Sequence, residues 1–287
     1  MSRCVLHTPS YRVTLNLYKM ENQNEMSNQK GQGGSRVIST SKNQIVPDQG
    51  CDDEVYRVDV GERALDDGEY YTNCDSIVSK NGCAAGVMAL RKGFELLLAD
   101  HTDSRFTGRL MKTVAEIFRR DVGKGKMKKS VLFSQQKSFL ETVEFNIRKR
   151  DVGRLKHQFD ISHAESRAEA TISVKGLINV LNICPGGATH FRILHHLSIV
   201  SDYCYSKSNR RYEPVSMLNG MSAYGYSEYF AVRDIPDIEV RVEFRDGVWP
   251  LNEDTVIQCF GLEFYKKSGP GYYLLHGGGG VEVCKVF

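Results

Sequence analysis

The chain has 287 residues, of which 41% are hydrophobic, with 14 Tyr and 13 Phe, so it is large and apolar enough to build a packed core. The formal net charge is only +3, which by itself implies neither a nucleic acid nor a membrane as partner. No stretch approaches the roughly 20 apolar residues that span a bilayer, and the first residues lack the apolar run of a leader peptide.

The N-terminal part of the chain, residues 1–75, is predicted to be a mostly disordered tail. Residues 21–35 are polar and cannot bury enough apolar surface to offset the entropy lost on ordering. Alternating apolar residues allow one short strand at 13–17 and another at 55–60.

A helical hairpin is predicted at 84–121, within a segment with a basic loop that we delimit as 76–136. In the first helix, apolar residues recur at helical spacing from Ala84 to Leu98, and the helix is expected to stop near Asp100. The apolar stripe of the second helix consists of Phe106, Leu110, Val114, Ile117 and Phe118.

From residue 137 the pattern alternates with period 2, which predicts an antiparallel β-sandwich of the Ig-like type at 137–287. Its centre is the strand that follows the turn at 185–187. In that strand Phe191, Ile193, Leu197 and Ile199 point to one side, with Thr189 and His195, while Arg192, His196 and Ser198 point to the other. Further strands are predicted at 139–145, 159–161, 170–174, 238–244, 255–265, 272–275 and 281–287. The predicted fold class is therefore α+β, a helical hairpin followed by a β-sandwich.

The eight cysteines favour a reduced protein rather than a disulfide scaffold. No CxxC pair occurs, and Cys204 and Cys259 lie in apolar runs, where a thiol acts as a small hydrophobic group. Together with the missing leader, this predicts a cytoplasmic location.

Residues 105–156 carry 15 basic and 5 acidic side chains, while the segments on either side are mildly acidic. Candidates for nucleic-acid contact are Arg105, Arg109, Lys112, Arg119, Arg120, Lys124 and Lys126. Basic side chains on the second helix of a hairpin would contact phosphates as in a helix-turn-helix protein. The simpler interpretation is a solvated helix face and a polar loop, and it is favoured because no aromatic residue stands among the lysines. Nucleic-acid binding is therefore the second functional hypothesis.

The remaining polar motifs predict no catalytic residue, no metal and no cofactor. Residues 123–130 lack the spacing of a phosphate-binding loop. His190, His195 and His196 are candidate metal ligands, with His157 and His163 as further candidates. His195 and His196 are neighbours on a strand and face opposite ways, and His190 lies about 20 Å from His196 along the strand, so these three cannot share a metal ion. Glu263 is a lone carboxylate on an apolar strand, best interpreted either as the partner of a buried salt bridge or as a residue at an edge position. Since a hydrolytic site has no support beyond unpaired His and Glu residues, we expect that the protein is not an enzyme.

Tyrosines cluster at Tyr224, Tyr226 and Tyr229, with further tyrosines at 203, 205 and 212. Tyrosine suits interfaces because it offers a large area and a polar tip, although it also fills sandwich cores. The leading hypothesis is a non-enzymatic structural or interaction module. It would bind a protein partner or itself through sheet edges or these tyrosines, with no membrane involved.

Four motifs, at 103–110, 139–146, 185–193 and 261–265, read DSRFTGRL, FLETVEFN, PGGATHFRI and GLEFY. In this order they resemble a family of uncharacterised proteins of Bacteroidota bacteria that carry SRxTGRL-like, LEGFEFN-like, PxGATHFRI and LGVEFxQ motifs. The resemblance covers about residues 80–287 and implies no catalytic residue. The basic, proline-containing N-terminal segment of the family is not recognisable in this chain.

Overall fold

The computed structural model describes residues 45–47, 56–58, 67–121, 129–149, 159–175, 180–245, 247–276 and 278–287, with side chains from residue 80 onward. The chain divides into two units, Met1–Tyr70 and Tyr71–Phe287. In the first unit, strands β1 (Ile45–Pro47) and β2 (Tyr56–Val58) pair antiparallel, and β2 confirms the strand predicted at 55–60. The strand predicted at 13–17 and most of the predicted tail lie outside the described residues.

The helices are α1 (Asp67–Gly93), α2 (Glu95–His101), α3 (Phe106–Arg120) and α4 (Lys137–Leu140). The first predicted helix is confirmed, but it begins at Asp67 and is interrupted at Phe94. The apolar stripe predicted from Ala84 to Leu98 is buried at Val87, Leu90, Phe94 and Leu97, but Ala84 is exposed and Cys83 is buried in its place. The stripe predicted for α3 is buried throughout.

Helices α1 and α3 lie against one another at two glycines of α1. A Cβ atom on Gly82 would come within 2.6 Å of the Phe118 ring, and one on Gly86 within 2.7 Å of Val114. Closer to the other end of α1, Arg91 Nη1 donates a 2.7 Å hydrogen bond to Thr107 Oγ1. Because these contacts run in opposite order along the two helices, α1 and α3 are antiparallel, and the glycines allow their backbones to approach closely.

We expect Gly82→Ala to lower the free energy of unfolding by about 1–3 kcal/mol, because the new methyl group overpacks the contact with the Phe118 and Tyr212 rings. The matched control is Gly108→Ala in α3, where a Cβ would meet nothing within 4 Å. That change should stabilise the protein by about 0.5–1 kcal/mol through helix propensity alone. Urea unfolding followed by circular dichroism measures both values, and a Gly82→Ala protein as stable as the parent would contradict the packing described here.

The main sheet is built on two long antiparallel strands, β5 (His190–Ser201) and β11 (Asp254–Ser268), which pair from His190–Tyr265 to Ser201–Asp254. Strands β12 (Gly271–Leu274) and β13 (Gly280–Val286) pair with β11, while β8 (Ser222–Tyr226) and β9 (Phe230–Ala231) pair with β5. A separate hairpin joins β6 (Tyr203–Ser206) and β7 (Arg211–Pro214). The prediction that residues 255–265 lie inside a sheet is confirmed.

Both faces of the main sheet are covered. On one face, Leu194, Val200, Ile257 and Cys259 share a core with the buried sides of α1, α2 and α3. The opposite face carries the four apolar residues predicted to share a side of β5, at 191, 193, 197 and 199, and all four are buried. Because both faces are covered, β5 and β11 are buried along most of their length.

A second sheet covers that opposite face. It contains β3 (Asp160–His163), β4 (Glu169–Val174) and β10 (Ile238–Glu243), in the order β10–β4–β3. The alternate residues of β10 are buried and exposed in turn, which confirms the strand with one wet face that the sequence predicts. The chain is therefore an α+β protein with antiparallel sheets.

The strand predicted at 139–145 is wrong. Lys137–Leu140 forms α4, a turn follows, and the only ladder contact of this segment among the described residues is an isolated bridge between Glu144 and Glu282. Leu140, Val143 and Phe145 are still buried, so the apolar pattern reflects burial in a turn rather than in a strand. Two carbonyl groups of this segment bind an arginine of α3 instead of a neighbouring strand.

Candidate functional site

Five tyrosines lie on the helix-facing side of the main sheet, near the end at which β5 begins. We call Tyr224, Tyr226, Tyr229, Tyr265 and Tyr272 the tyrosine face. The register places three of them opposite residues of β5, and cross-strand partners project from the same side of a sheet. The other two, Tyr229 and Tyr272, stack in parallel with ring centroids 4.0 Å apart, and Tyr229 meets Tyr265 edge to face at 4.9 Å.

Arg192 stands at the centre of the tyrosine face. Its guanidinium carbon lies 3.6 Å from the centroid of the Tyr226 ring, 5.0 Å from that of Tyr265 and 5.3 Å from that of Tyr229. Its Nη1 also donates a 3.3 Å hydrogen bond to the Tyr229 hydroxyl. Cation–π contacts of this kind hold the rings and the guanidinium in one fixed arrangement.

Glu263 holds Arg192 and Tyr265 in this arrangement through hydrogen bonds. It is directly opposite Arg192 in the register, and its Oε2 accepts a 2.7 Å bond from Arg192 Nε and a second bond from the Tyr265 hydroxyl. Its Oε1 lies 3.2 Å from Nε2 of His101, the last residue of α2. The buried carboxylate therefore links the helices, β5 and β11 at one point.

The protonation states of the cluster are set by these contacts. Burial alone would raise the pKa of Glu263, but hydrogen bonds from His101 and Tyr265 and the charge of Arg192 lower it to about 2. Burial and the Glu263 charge raise the pKa of Tyr226 to about 12, and burial with the bond to Glu263 raises the pKa of Tyr265 further. A general acid or base works best with a pKa near the operating pH, and these three groups are moved far from neutrality. Their arrangement suits a fixed ion pair rather than proton transfer.

Of the two interpretations of Glu263, the structure shows the buried salt bridge and not the edge position. Of the tyrosines predicted as an interface, Tyr224 is 38% exposed and Tyr226 and Tyr229 are half-buried. Tyr212, which the sequence places in the same cluster, packs instead on Phe118 of α3. The roles of His101, Tyr265 and Tyr272 were not predicted, because they depend on strand register and on helix docking.

The basic candidates in α3 and next to it differ in the bonds that their side chains make within the chain. Arg109 donates from Nε to the Glu144 carbonyl at 2.8 Å, from Nη2 to the Phe145 carbonyl at 2.7 Å and from Nη1 to Asp103 at 3.0 Å. Arg119 and Arg120 pair with Glu116 at 2.5 and 3.9 Å, but both side chains are exposed, as are those of Arg105 and Lys112. Lys124 and Lys126 lie outside the described residues.

The four motifs of the family resemblance meet in pairs. Arg109 of the first motif donates to the carbonyl of Glu144 in the second motif. Asp103, also of the first motif, accepts the Ile147 N–H at its Oδ2 at 3.1 Å, and Ile147 directly follows the second motif. Arg192 of the third motif binds Glu263 of the fourth. Asp103, Arg109, Arg192 and Glu263 therefore position segments of the fold relative to one another.

The histidines considered as metal ligands have other surroundings. His195 Nδ1 lies 2.8 Å from the Val240 carbonyl, and its Nε2 lies 3.1 Å from Gln258 Nε2. His196 is fully buried, His163 stacks on Phe287, and His157 is not among the described residues. Within the part of the chain that the structure describes, no group of three or more His, Cys, Asp or Glu side chains could hold a metal ion.

A cavity of about 300 Å³ lies between the segment 141–149 and β13. Lys149 lines it, and burial lowers the pKa of this lysine although Asp100 and Glu263 act to raise it. Arg192, His101 and Glu263 are not among its lining residues, so the ion cluster and the cavity do not form one pocket.

Comparison of the chain with protein-family models, with curated proteins and with solved structures finds no match. No helix in the described ranges is long and apolar enough to cross a bilayer.

Proposed function

We propose that this chain is a non-enzymatic interaction module that binds a protein partner through the tyrosine face. The observation that carries the proposal is a set of tyrosines, from the buried Tyr265 to the exposed Tyr224, held around one partly buried ion pair, Arg192–Glu263. Tyrosine and arginine are enriched at the centres of protein interfaces, where large amphipathic side chains give area and hydrogen bonds together.

The fixed geometry supports binding of a folded partner. The rings contact one another edge to face or in parallel, and the hydroxyl groups of Tyr229 and Tyr265 bond within the cluster, to Arg192 and Glu263. Binding then costs little side-chain entropy, because Arg192 and Glu263 already hold the rings in place. The displaced pKa values of Glu263 and Tyr226 favour this role over acid–base catalysis.

The test compares tyrosines on opposite sides of the sheet. Tyr224→Ser combined with Tyr229→Ser removes two of the five rings of the tyrosine face, whereas Tyr273→Ser changes an exposed tyrosine of β12 next to Tyr272 that points the other way. Proteins that co-purify with the parent chain in its native source should be lost with the double variant and kept with the control. Calorimetry with the purified partner should then show binding at least about tenfold weaker for the double variant. Equal binding by all three proteins would refute the proposal.

Nucleic-acid binding through α3 is kept as an alternative, because Arg105 and Lys112 remain exposed on that helix. A gel-shift series with rising salt tests it, since phosphate contacts make affinity fall steeply with salt. Arg105→Glu with Lys112→Glu should abolish such binding. No shift at low salt would remove this alternative.

Three finer interpretations are also proposals. The two facing sheets and the antiparallel helices α1 and α3 support a helical hairpin followed by an Ig-like sandwich. The paired motifs support membership of the Bacteroidota family. The free thiols Cys184, Cys204 and Cys259 support a reduced, cytoplasmic location.

A further inference from the structure

The cavity of about 300 Å³ beside β13 lies between two fixed walls. Strand β13 is one wall, and its pairing with β11 holds it along its length. Residues 141–149 are the other wall, which we call the turn segment, and the two walls meet at an isolated bridge between Glu144 and Glu282. None of the five tyrosines lines the cavity, so it is a site separate from the tyrosine face.

The turn segment is fixed by α3 and by bonds within itself. Arg109 of α3 donates to the carbonyl groups of Glu144 and Phe145 at 2.8 and 2.7 Å. The Lys149 N–H donates to the Asn146 carbonyl at 3.0 Å, which places this lysine at the cavity. Because the fold fixes both walls, the cavity exists before any ligand binds, as small-molecule sites usually do.

Apolar residues form part of the lining. Four lining residues are buried members of the core between the main sheet and the helices: Val143, Phe145, Val281 and Val283. Such a lining favours a ligand with an apolar group, because apolar surface gains free energy when it leaves water. A volume of about 300 Å³ is at the lower end of ligand pockets, and it suits a molecule the size of an amino acid rather than a nucleotide.

Charged side chains of both signs line the same cavity. Three carboxylates, those of Glu141, Glu144 and Glu282, accompany the ammonium group of Lys149. A carboxylate has about four acceptor positions, so one that bonds within the chain can still accept a bond from a ligand. The lining therefore offers acceptors to a cationic group and a donor to an anionic group.

Lys149 is the lining residue whose bonding is incomplete. Its side chain is partly buried, and its ammonium group can donate three hydrogen bonds. The charges of Asp100 and Glu263 act on it, but within the described part of the chain its Nζ makes no ion pair and no hydrogen bond. A partly buried charge without a partner is unfavourable, and an anionic group in the cavity would remove that cost.

We propose that the cavity binds a free α-amino acid with an apolar side chain. The ligand carboxylate pairs with Lys149, the ligand ammonium group pairs with the glutamates of the lining, and the ligand side chain contacts the four buried apolar residues. A small zwitterion with an apolar group matches all three parts of the lining at once. The proposal does not rest on the proposed function, because the tyrosine face is a separate site.

Simpler ligands match only part of the lining. An anion without an amine would meet three carboxylates, and like charges repel. An amine without a carboxylate would leave Lys149 unpaired and would add a second positive charge beside it. A neutral apolar molecule would pair with none of these charges. The proposal is therefore decided by how the cavity discriminates between an amino acid and analogues that lack one charged group.

Calorimetry with the full chain compares L-leucine with two such analogues. Isocaproate has the same carbon skeleton without the amine, and isoamylamine lacks the carboxylate. L-Leucine should bind, and each analogue should bind at least about tenfold more weakly, because each loses one charge-assisted contact. Isocaproate binding as tightly as L-leucine would indicate a simple anion site, and isoamylamine binding as tightly would indicate a simple amine site. Either result would overturn the proposal.

Lys149→Met tests the partner assigned to the ligand carboxylate. The matched control is Lys266→Met, which changes an exposed lysine of β11. The control should bind L-leucine as the parent does, whereas Lys149→Met should bind it at least about tenfold more weakly. Circular dichroism should give the same spectrum for all three proteins. If Lys149→Met does not fold, the comparison of the analogues on the unmodified chain decides the proposal.

Glu282→Gln tests the opposite charge of the lining. It should weaken the binding of L-leucine and strengthen that of isocaproate, because one carboxylate is removed. Glu239→Gln, which changes an exposed glutamate of β10, should change neither. The proposal is wrong if L-leucine, L-valine and L-phenylalanine all fail to bind at millimolar concentration, or if Lys149→Met binds L-leucine as the parent does. Binding of leucyl-leucine without binding of the free amino acids would also overturn it and assign the cavity to a peptide.

Discussion

Glu263→Ala is expected to lower the free energy of unfolding by about 3–5 kcal/mol, because it leaves the Arg192 guanidinium partly buried without its counter-ion. His101 and the Tyr265 hydroxyl lose their acceptor at the same time. Urea unfolding followed by circular dichroism gives the value. The matched control is Glu243→Ala, which breaks an exposed ion pair with Arg241 and should cost less than about 1 kcal/mol.

A double variant separates the loss of an interaction from the cost of an unpaired charge. Arg192→Met with Glu263→Leu replaces the ion pair by apolar groups of similar size, and it should recover most of the stability lost in Glu263→Ala. The tyrosine rings would lose their central cation, so binding through the tyrosine face should stay weak even where stability returns. A Glu263→Ala protein within about 1 kcal/mol of the parent would show that the carboxylate does not anchor the site.

The central strands could be predicted because their signal is local. Residues 191–199 place four apolar side chains on one face, and residues 255–265 are apolar on both faces at their centre. The structure packs these strands between helices on one side and a second sheet on the other. The apolar stripe of α3 could also be predicted from the sequence, since five apolar residues recur at helical spacing and all are buried. In both cases neighbouring residues alone carry the pattern.

The candidate site could be predicted only in part, because it depends on partners far apart in sequence. A buried partner for Glu263 was one of two interpretations, but Arg192 is 71 residues away and meets Glu263 only through the register of β5 with β11. His101 reaches the same carboxylate from the end of α2. Neither the register nor the docking of a helix on a sheet is encoded in a local periodicity.

The wrong strand at 139–145 has the same origin. Its apolar residues alternate, which favours a strand, but the carbonyl groups of Glu144 and Phe145 are bound by Arg109 from α3. Arg109 had been considered for phosphate contact because its charge is visible in the sequence. Its structural role depends on the segment that it binds, which lies 35 residues further along the chain.

The protein is expected to lose several kcal/mol of stability between pH 7 and pH 4, because two buried histidines must stay neutral in the folded state. Burial lowers the pKa of His195 to about 4, although the Val240 carbonyl acts to raise it, and burial with the nearby His195 lowers the pKa of His196 to about 3. In the unfolded chain both groups titrate near pH 6.5.

The sign follows from proton binding. Below about pH 6.5 the unfolded chain binds more protons than the folded one, so the free energy of unfolding falls as the pH decreases, by up to about 1.4 kcal/mol per pH unit for each histidine. The loss should be complete near pH 3–4, where the folded-state groups also titrate. Below about pH 4.5, protonation of Glu263 in the unfolded chain adds a further loss, because its folded pKa is about 2.

Urea unfolding at a series of pH values measures this slope, and His196→Leu should reduce it by about half, because one of the two depressed groups is removed. His276→Gln changes an exposed histidine beyond β12 and should leave the slope unchanged. Stability that stays constant from pH 7 to pH 4 would mean that His195 and His196 accept protons in the folded protein. The helices pack on one face of β5 and the small sheet packs on the other. His195 bonds to β10 on the side of the small sheet, and His196 lies on the side of the helices. Acid should therefore unfold the helical layer and the small sheet together.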